Sequence, residues 1–286
     1  MPRIKKAVIT AAGNRQQALP LQTLVDRDGD TKSVLRIIVN EAIRAGIEEI
    51  AVVVAPHTQD TYRTAAGEAG ERLLFIEQAE PQGYAHSVYC SKSFVGDASF
   101  LHLVGDHLYV SGESRGCAEQ LIDLAAEHEC SISAVQATRE FKLPYYGAIG
   151  GQRLPDQKNL YRINDVIEKP TPTEAEQRLV VPGLRSGSYL CFFGMHAFSP
   201  LMMEILSHHF EGENPSPPKF LSQALAQLAK REDYLACQLD GNRYEIAAKY
   251  GLFSAQLALG MEGTDRDEIL SDLLDHLATR QLQNGQ

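Results

Sequence analysis

The sequence lacks what several large functional classes require. No apolar run in its 286 residues approaches the roughly 18 residues of a membrane span. The opening MPRIKK has the charge of a signal n-region, but the apolar AVITAAG behind it is short and runs straight into NRQQ. The expectation is a soluble, cytoplasmic chain with no signal peptide and no membrane partner. Cysteine is sparse: Cys90, Cys117, Cys130, Cys191 and Cys237 are odd in number, scattered and never spaced CxxC. That argues against a zinc site, a redox pair or a disulfide framework, and leaves reduced packing thiols. Positive charge is also short. With 27 Lys plus Arg against 37 Asp plus Glu, the formal charge is −10. Such a surface repels a polyanion, so nucleic acid is not the expected partner, whereas a nucleotide held by local amides and a metal is compatible with it. No internal repeat, low-complexity segment or linker divides the chain, and residues 1–286 read as one domain.

What is present is alternation. KAVITAA reads as a strand, SVLRIIVNEAIRAG as an amphipathic helix closed by Gly46, and EEIAVVVAP as a second strand. A helix around DTYRTAAGEAG, the strand RLLFIEQ, a helix from about Tyr84 to Lys92 and the strand SFLHLVGD continue the pattern. Strands separated by such helices predict an α/β fold with a mostly parallel central sheet flanked by helices, whose ligands bind beyond the carboxyl ends of its strands. After the helix near residues 114–128 the texture turns β-rich, through CSISAVQAT, YYGAIGG, NDVIEKP and GSYLCFFGMHAF, which predicts a β-rich insertion in the second half. Helices SPLMMEILSHH and KFLSQALAQLAKR, the strand YLACQLDG and a terminal helix from about Asp265 to Arg280 follow.

Several junctions place chemically useful groups at strand ends. Small residues Ala11, Ala12 and Gly13 let a ligand approach the first strand's amides, although a plain tight turn explains them equally. The long polar connection RQQALPLQTLVDRDGDTK carries Arg15, Arg27 and Lys32, cations suited to a nucleotide loop. Within it, DRDGDTK begins like a calcium loop but has Ile37 where the bidentate Glu belongs. Gln78 offers a donor and an acceptor to a base edge, and Pro81 and Gly83 turn the chain into a helix. Asp106 follows the buried-strand pattern FLHLVG, and a parallel sheet points such strand ends at the ligand crevice, so it reads as a metal ligand there or else as a turn carboxylate. His107 reads as its polar neighbour; His86, His208 and His209 have no ligand spacing and read as local hydrogen-bonding or solvated groups. Glu168 and Lys169 end an apolar strand, and Glu245 and Lys249 stand four residues apart, the spacing of a helix-surface pair.

In order, VITAAG, EQAEPQGYAHSV, FLHLVGDHL, YYGAI, DVIEKP and GNRYEIAAKYG resemble the bacterial UTP:glucose-1-phosphate uridylyltransferases, within the sugar-phosphate nucleotidyltransferase superfamily. The resemblance covers nearly the whole chain. It implies a GT-A-like (Rossmann-like) fold, with Ala11, Ala12, Gly13, Gln78 and Gly83 contacting uridine and Arg15 beside the nucleotide. It implies Asp106 as the first ligand of Mg2+ and Glu245 as the second, where the family motif RYD here reads RYE. Gly147, Glu168 and Lys169 fall where the family binds the sugar phosphate, with Lys249 nearby, so Asp106, Lys169 and Glu245 form the expected catalytic set. The departures lie at the triphosphate: NRQQALPLQTLVD puts Gln17 and Gln22 in the family's basic positions, and His107 replaces an aspartate often found after the metal ligand. Arg15, Arg27 or Lys32 would have to substitute from displaced positions.

The implied reaction joins UTP to a sugar 1-phosphate, glucose 1-phosphate foremost, giving a UDP-sugar and pyrophosphate. The same chemistry with another nucleotide such as dTTP, or with another sugar phosphate, is a near alternative. A catalytically silent nucleotide-sugar-binding regulatory protein is the rival in kind, favoured by the altered loop. A glycosyltransferase would want a close DxD pair, which GDHL does not supply. The terminal helix and the region from Ser199 to Lys230 offer surfaces for a homo-oligomer, although intramolecular packing explains the apolar side of ILSDLLDHLATRQL equally.

Overall fold

A computed structural model describes residues 3–13, 17–155, 157–212, 218 and 220–284, with side chains up to residue 279. The first half runs β1 (Lys6–Thr10), a hairpin of β2 (Thr23–Val25) and β3 (Thr31–Ser33), α1 (Val34–Arg44), β4 (Glu49–Val54), α2 (Gln59–Ala66), β5 (Leu73–Glu77), α3 (Tyr84–Tyr89), α4 (Lys92–Val95), β6 (Phe100–Val104), β7 (His107–Ser111) and α5 (Cys117–His128). The second runs β8 (Ile132–Arg139), β9 (Gly147–Arg153), β10 (Leu160–Glu168), α6 (Pro172–Arg178), β11 (Ser188–Phe198), α7 (Pro200–Glu211), α8 (Leu221–Arg231), β12 (Leu235–Gln238), β13 (Gly241–Glu245), α9 (Gly251–Met261) and α10 (Arg266–Asn284).

Local chemistry sets these boundaries. The Ser33 hydroxyl accepts the Arg36 amide to start α1, and Gly46 at φ +85° ends it, a conformation that glycine adopts without a Cβ clash. Ala7, Val8 and Ile9 are all fully buried, so β1 is covered on both faces, as an interior parallel strand must be. It pairs in parallel with β4 and β6, and β4 pairs in parallel with β5.

The nine-stranded sheet has the order β5-β4-β1-β6-β11-β8-β12-β10-β9. Only its first four strands, with the β12–β8 pair, are parallel; β11 enters antiparallel between β6 and β8, and β10 and β9 are antiparallel too. The sheet is therefore mixed rather than mostly parallel, and the second-half strands extend it instead of forming a separate insertion. Helices α1, α5 and α9 pack one face and α3, α7 and α8 the other, each over its own apolar cluster.

Two local devices shape the edge where β6 ends. Gly105 sits so close to β1 that a Cβ would lie 2.9 Å from the Thr10 carbonyl oxygen, which explains why the apolar run stops on glycine. Gly194, at φ +81°, lies in the stretch of β11 where the pairing with β8 shifts register, and a Cβ there would stand 2.6 Å from Val104. Beyond Gly105 the chain forms a two-stranded ribbon, β7 against β13, pairing His107 with Glu245. Among the described residues no helix is long and apolar enough to cross a membrane.

Candidate active site

The carboxyl ends of β1, β5 and β6 meet at a cleft of about 360 Å3 lined by Thr10, Ala12, Gly13, Gln78, Pro81, Gly83, Tyr84, Ser87, Val104 and Asp106. Five of the expected site residues, from three separate segments, share this one depression: Ala12, Gly13, Gln78, Gly83 and Asp106. Ala11 is not among the lining residues; its amide donates to the Val53 carbonyl at 2.8 Å and so closes the β1–β4 ladder. Buried Tyr62 donates to the carbonyls of Ala11 (3.1 Å) and Gln17 (2.8 Å), bracing the chain that leaves β1. Arg15 lies outside the described residues.

At the back of the cleft, the Gln78 amide nitrogen lies 3.2 Å from the Gly83 carbonyl and 3.0 Å from His86 Nδ1. Tyr84, on the first turn of α3, was not singled out in sequence. Burial, reinforced by the negative charges of Asp106 and Glu168, pushes its phenol well above the ordinary range. Behind it the Thr10 hydroxyl meets buried His102 Nε2 at 3.2 Å.

Asp106 holds His107 Nδ1 at 2.8 Å. Burial works against its charge, but His107 and a backbone amide outweigh that penalty and hold the carboxyl below the usual range. Asp106 thus enters the cleft ionised. Across the ribbon, the main-chain amide of Ile246 donates to the Asp106 carbonyl at 2.9 Å, which fixes the end of β13 beside it. Glu245 accepts from the Tyr146 hydroxyl at 2.8 Å. Tyr146 in turn lies beneath the Arg243 guanidinium, 3.8 Å from ring centroid to Cζ, and that buried guanidinium donates to the Phe192 carbonyl in β11. Tyr146 and Arg243 are the positioning groups that sequence reading passed over, although both lie inside quoted motifs.

The third group converges where β9 begins and β10 ends. Gly147 pairs with Glu168, and a Cβ on Gly147 would stand 3.1 Å from both Glu168 Oε2 and the Phe192 ring. Burial raises the Glu168 carboxyl above its ordinary value, while Ser222 and Lys169 pull it back. Lys169 is held at φ +46°, a left-handed conformation that non-glycine residues rarely adopt. Its amide bonds the Tyr146 carbonyl at 3.1 Å and its ammonium lies 5.7 Å from the Phe220 ring centroid. Tyr146 is therefore the joint between the Lys169 segment and Glu245.

Three sequence expectations change. Lys249 lies in an exposed turn with its ammonium over Tyr250, and β13 ends at Glu245, so the two are not a helical pair; Lys249, like Gly147, Glu168, Lys169 and Glu245, is not among the cleft's lining residues. Lys32 is buried and bridges Asp26 and Asp30, with Asp28 at 3.8 Å, while the Asp26 carboxylate caps the amides of Asp28 and Asp30. Arg27 donates to the Glu262 carbonyl. Both cations thus brace the β2–β3 hairpin, and no Lys or Arg is among the cleft's described lining residues. The cysteines, by contrast, are as expected: all five are free, and four are buried, as packing thiols should be.

Comparison with known proteins finds relatives over nearly the whole chain. A family model described as nucleotidyl transferase matches residues 16–245. The UTP–glucose-1-phosphate uridylyltransferase YngB of Bacillus subtilis (strain 168) is 28% identical, over 96% of this chain and 95% of that protein. A second Bacillus subtilis (strain 168) protein, named UTP–glucose-1-phosphate uridylyltransferase, is 26% identical over 94% of this chain and 96% of its own. Among solved structures, a UDP-glucose pyrophosphorylase from Acinetobacter baumannii superposes with a TM-score of 0.73 at 22% identity, covering 96% of this chain and 99% of that one. A UDP-glucose pyrophosphorylase complexed with UDP-glucose gives 0.71 at 24% identity, covering 89% and 98%. At such identities the structural likeness speaks for the fold, an α/β nucleotidyltransferase fold. Because the family model spans most of the chain, the chain belongs to the nucleotidyl transferase family.

Proposed function

We propose that the protein makes UDP-glucose and pyrophosphate from UTP and glucose 1-phosphate, on a GT-A-like fold. The observation that carries this reading is the gathering of Ala12, Gly13, Gln78, Gly83 and Asp106 around one cleft in a chain similar over its length to proteins named for that reaction. In this reading the amides around Ala12 and Gly13 and the Gln78 side chain take the uridine, and Gly147, Glu168 and Lys169 take the sugar phosphate.

The donor set suits magnesium. Asp106 and Glu245 are hard oxygen ligands at neighbouring ends of the β7–β13 ribbon, and among the described residues no three His, Cys, Asp or Glu side chains converge on one metal position. Magnesium is commonly held in this way, by one or two carboxylates completed by phosphate oxygens and water. Bound there, it would neutralise charge on the phosphates.

The chain's own residues align and stabilise. A phosphate oxygen of the sugar forms a bond to the α-phosphorus of UTP as the α–β bridging bond breaks and pyrophosphate departs. The attacking phosphate is already ionised, so no general base is needed. Lys169 meets the negative charge that develops, and its fixed backbone holds the ammonium near that position before reaction. Tyr146, bonded to both the Glu245 and Lys169 segments, keeps the two ends of the site in register.

The absence of basic side chains among the cleft's described lining residues favours a second reading, a regulatory protein that binds a UDP-sugar without turnover. Pyrophosphate release measured with glucose 1-phosphate, magnesium and each of UTP, dTTP, ATP, GTP and CTP separates the two. Release with UTP supports the transferase, release with dTTP alone moves the substrate, and silence with every nucleotide despite UDP-glucose binding supports the regulator. Exposed Phe253, Leu274 and Leu277 on the packed pair α9–α10 favour self-association.

A further inference from the structure

The Gln78 side chain is only 5% exposed, and its two ends are not equivalent. Its amide nitrogen faces two acceptors, the Gly83 carbonyl at 3.2 Å and His86 Nδ1 at 3.0 Å. The orientation is assigned from this network. Reversing the amide would set its oxygen against the Gly83 carbonyl, two acceptors with no proton between them. The present orientation uses both N–H groups and leaves Oε1, which takes no hydrogen bond among the described residues, as the atom for the cleft.

We infer that His86 is a positioning residue that selects the base: by accepting from the Gln78 amide nitrogen, it makes Gln78 present an acceptor, and so a preference for uracil over cytosine. Uracil carries a proton on N3 and cytosine a lone pair, so an acceptor at that edge bonds the first and repels the second. The inference rests on the reading in which Gln78 meets the base.

His86 is built for this task. It must be neutral to accept at Nδ1, and burial lowers its proton affinity, against the opposing pull of the Glu80 carbonyl and carboxylate. Its ring packs 5.2 Å from Phe210 and 6.3 Å from Tyr89, with Cys90 Sγ 3.9 Å from Nδ1, so the imidazole is held by neighbours from α3 and α7. Gly83 at φ +105° turns its carbonyl toward the same nitrogen at the head of α3.

The test is titration calorimetry of uridine diphosphate and cytidine diphosphate, with magnesium, on the full chain. The wild type should prefer the uridine nucleotide. His86→Phe keeps the ring packing and removes the acceptor, and should cut the preference by roughly 3- to 10-fold, the worth of one net hydrogen bond. His86→Asn sets an amide oxygen near the place of Nδ1 and should restore most of it. In a Gln78→Ala background His86→Phe should change the ratio no further, which a merely structural role would not produce. A wild type without preference overturns the assignment of Gln78 to the base and this inference with it. A wild-type preference that His86→Phe leaves intact, or lowers equally in the Gln78→Ala background, overturns this inference alone.

Discussion

Tyr146→Phe removes one oxygen atom and separates positioning from folding. The Tyr146 hydroxyl gives its proton to Glu245 at 2.8 Å, while its ring lies under Arg243 and its main chain carries the Lys169 amide. Phenylalanine keeps the ring and the backbone, so the loss is a single hydrogen bond at a half-buried site, about 1 kcal/mol of stability. For a domain of this size that lowers the melting temperature by about 2–4 °C. The effect on function should be larger. Glu245 loses the contact that fixes its carboxylate, and removing such supporting contacts from ligating residues typically costs about 10–100-fold in affinity or activity. Calorimetric melting and pyrophosphate release against magnesium concentration measure both in one preparation. The expected pattern is a small shift in melting with a magnesium requirement raised about tenfold or more. An unchanged magnesium dependence would show that Tyr146 does not position Glu245 for a metal.

Four other substitutions probe separate parts of the site and core. Gly147→Ala would push a methyl group to 3.1 Å from Glu168 and Phe192, and should raise the glucose 1-phosphate KM about tenfold while leaving that of UTP within about twofold; equal rises would place Gly147 elsewhere. Lys169→Gly should relieve the left-handed backbone, raising stability by about 1 kcal/mol, while slowing turnover by roughly 100- to 1000-fold. Lys32→Met should cost about 3 kcal/mol by stranding the buried Asp26 carboxylate, yet leave the UTP KM unchanged, because Lys32 braces the hairpin; a raised KM with normal stability would return it to the triphosphate. Burial holds His102 down at about 3, so below pH about 6.5 the unfolded chain takes up a proton that the fold refuses. Stability should fall by about 1.4 kcal/mol per pH unit from this group as pH drops toward 3, and His102→Phe should flatten that part of an acid denaturation profile.

Much of the parallel half was legible because its signals are local. Val8 and Ile9, Val52 to Val54 and Leu101 to Val104 are short apolar runs bounded by glycine or polar turns, and the helices between them show a clear 3.6-residue stripe. The strand-end position of Asp106 followed from that pattern. What could not be read were the pairings. Nothing within GSYLCFFGMHAF says that β11 will lie antiparallel between β6 and β8, since that depends on partners about 90 residues away in one case. The ribbon strands β7 and β13 were missed because HLYVS continues the run of β6 across one turn and GNRYE is polar. Arg243 and Tyr146 look like ordinary motif flanks until the fold stacks one on the other. Lys32 looked available because its three aspartates sit at spacings of two, four and six residues, which reads as a calcium-like loop rather than as a cage around a lysine.

The most direct measurement is the product formed from glucose 1-phosphate and UTP by the purified protein with magnesium, followed by mass spectrometry beside the Asp106→Asn variant. UDP-glucose from the wild type, absent with chelator and reduced at least 100-fold by Asp106→Asn, is the predicted result. Equal UDP-glucose from both proteins would contradict the placement of the chemistry at Asp106, and none from either would contradict the transferase itself.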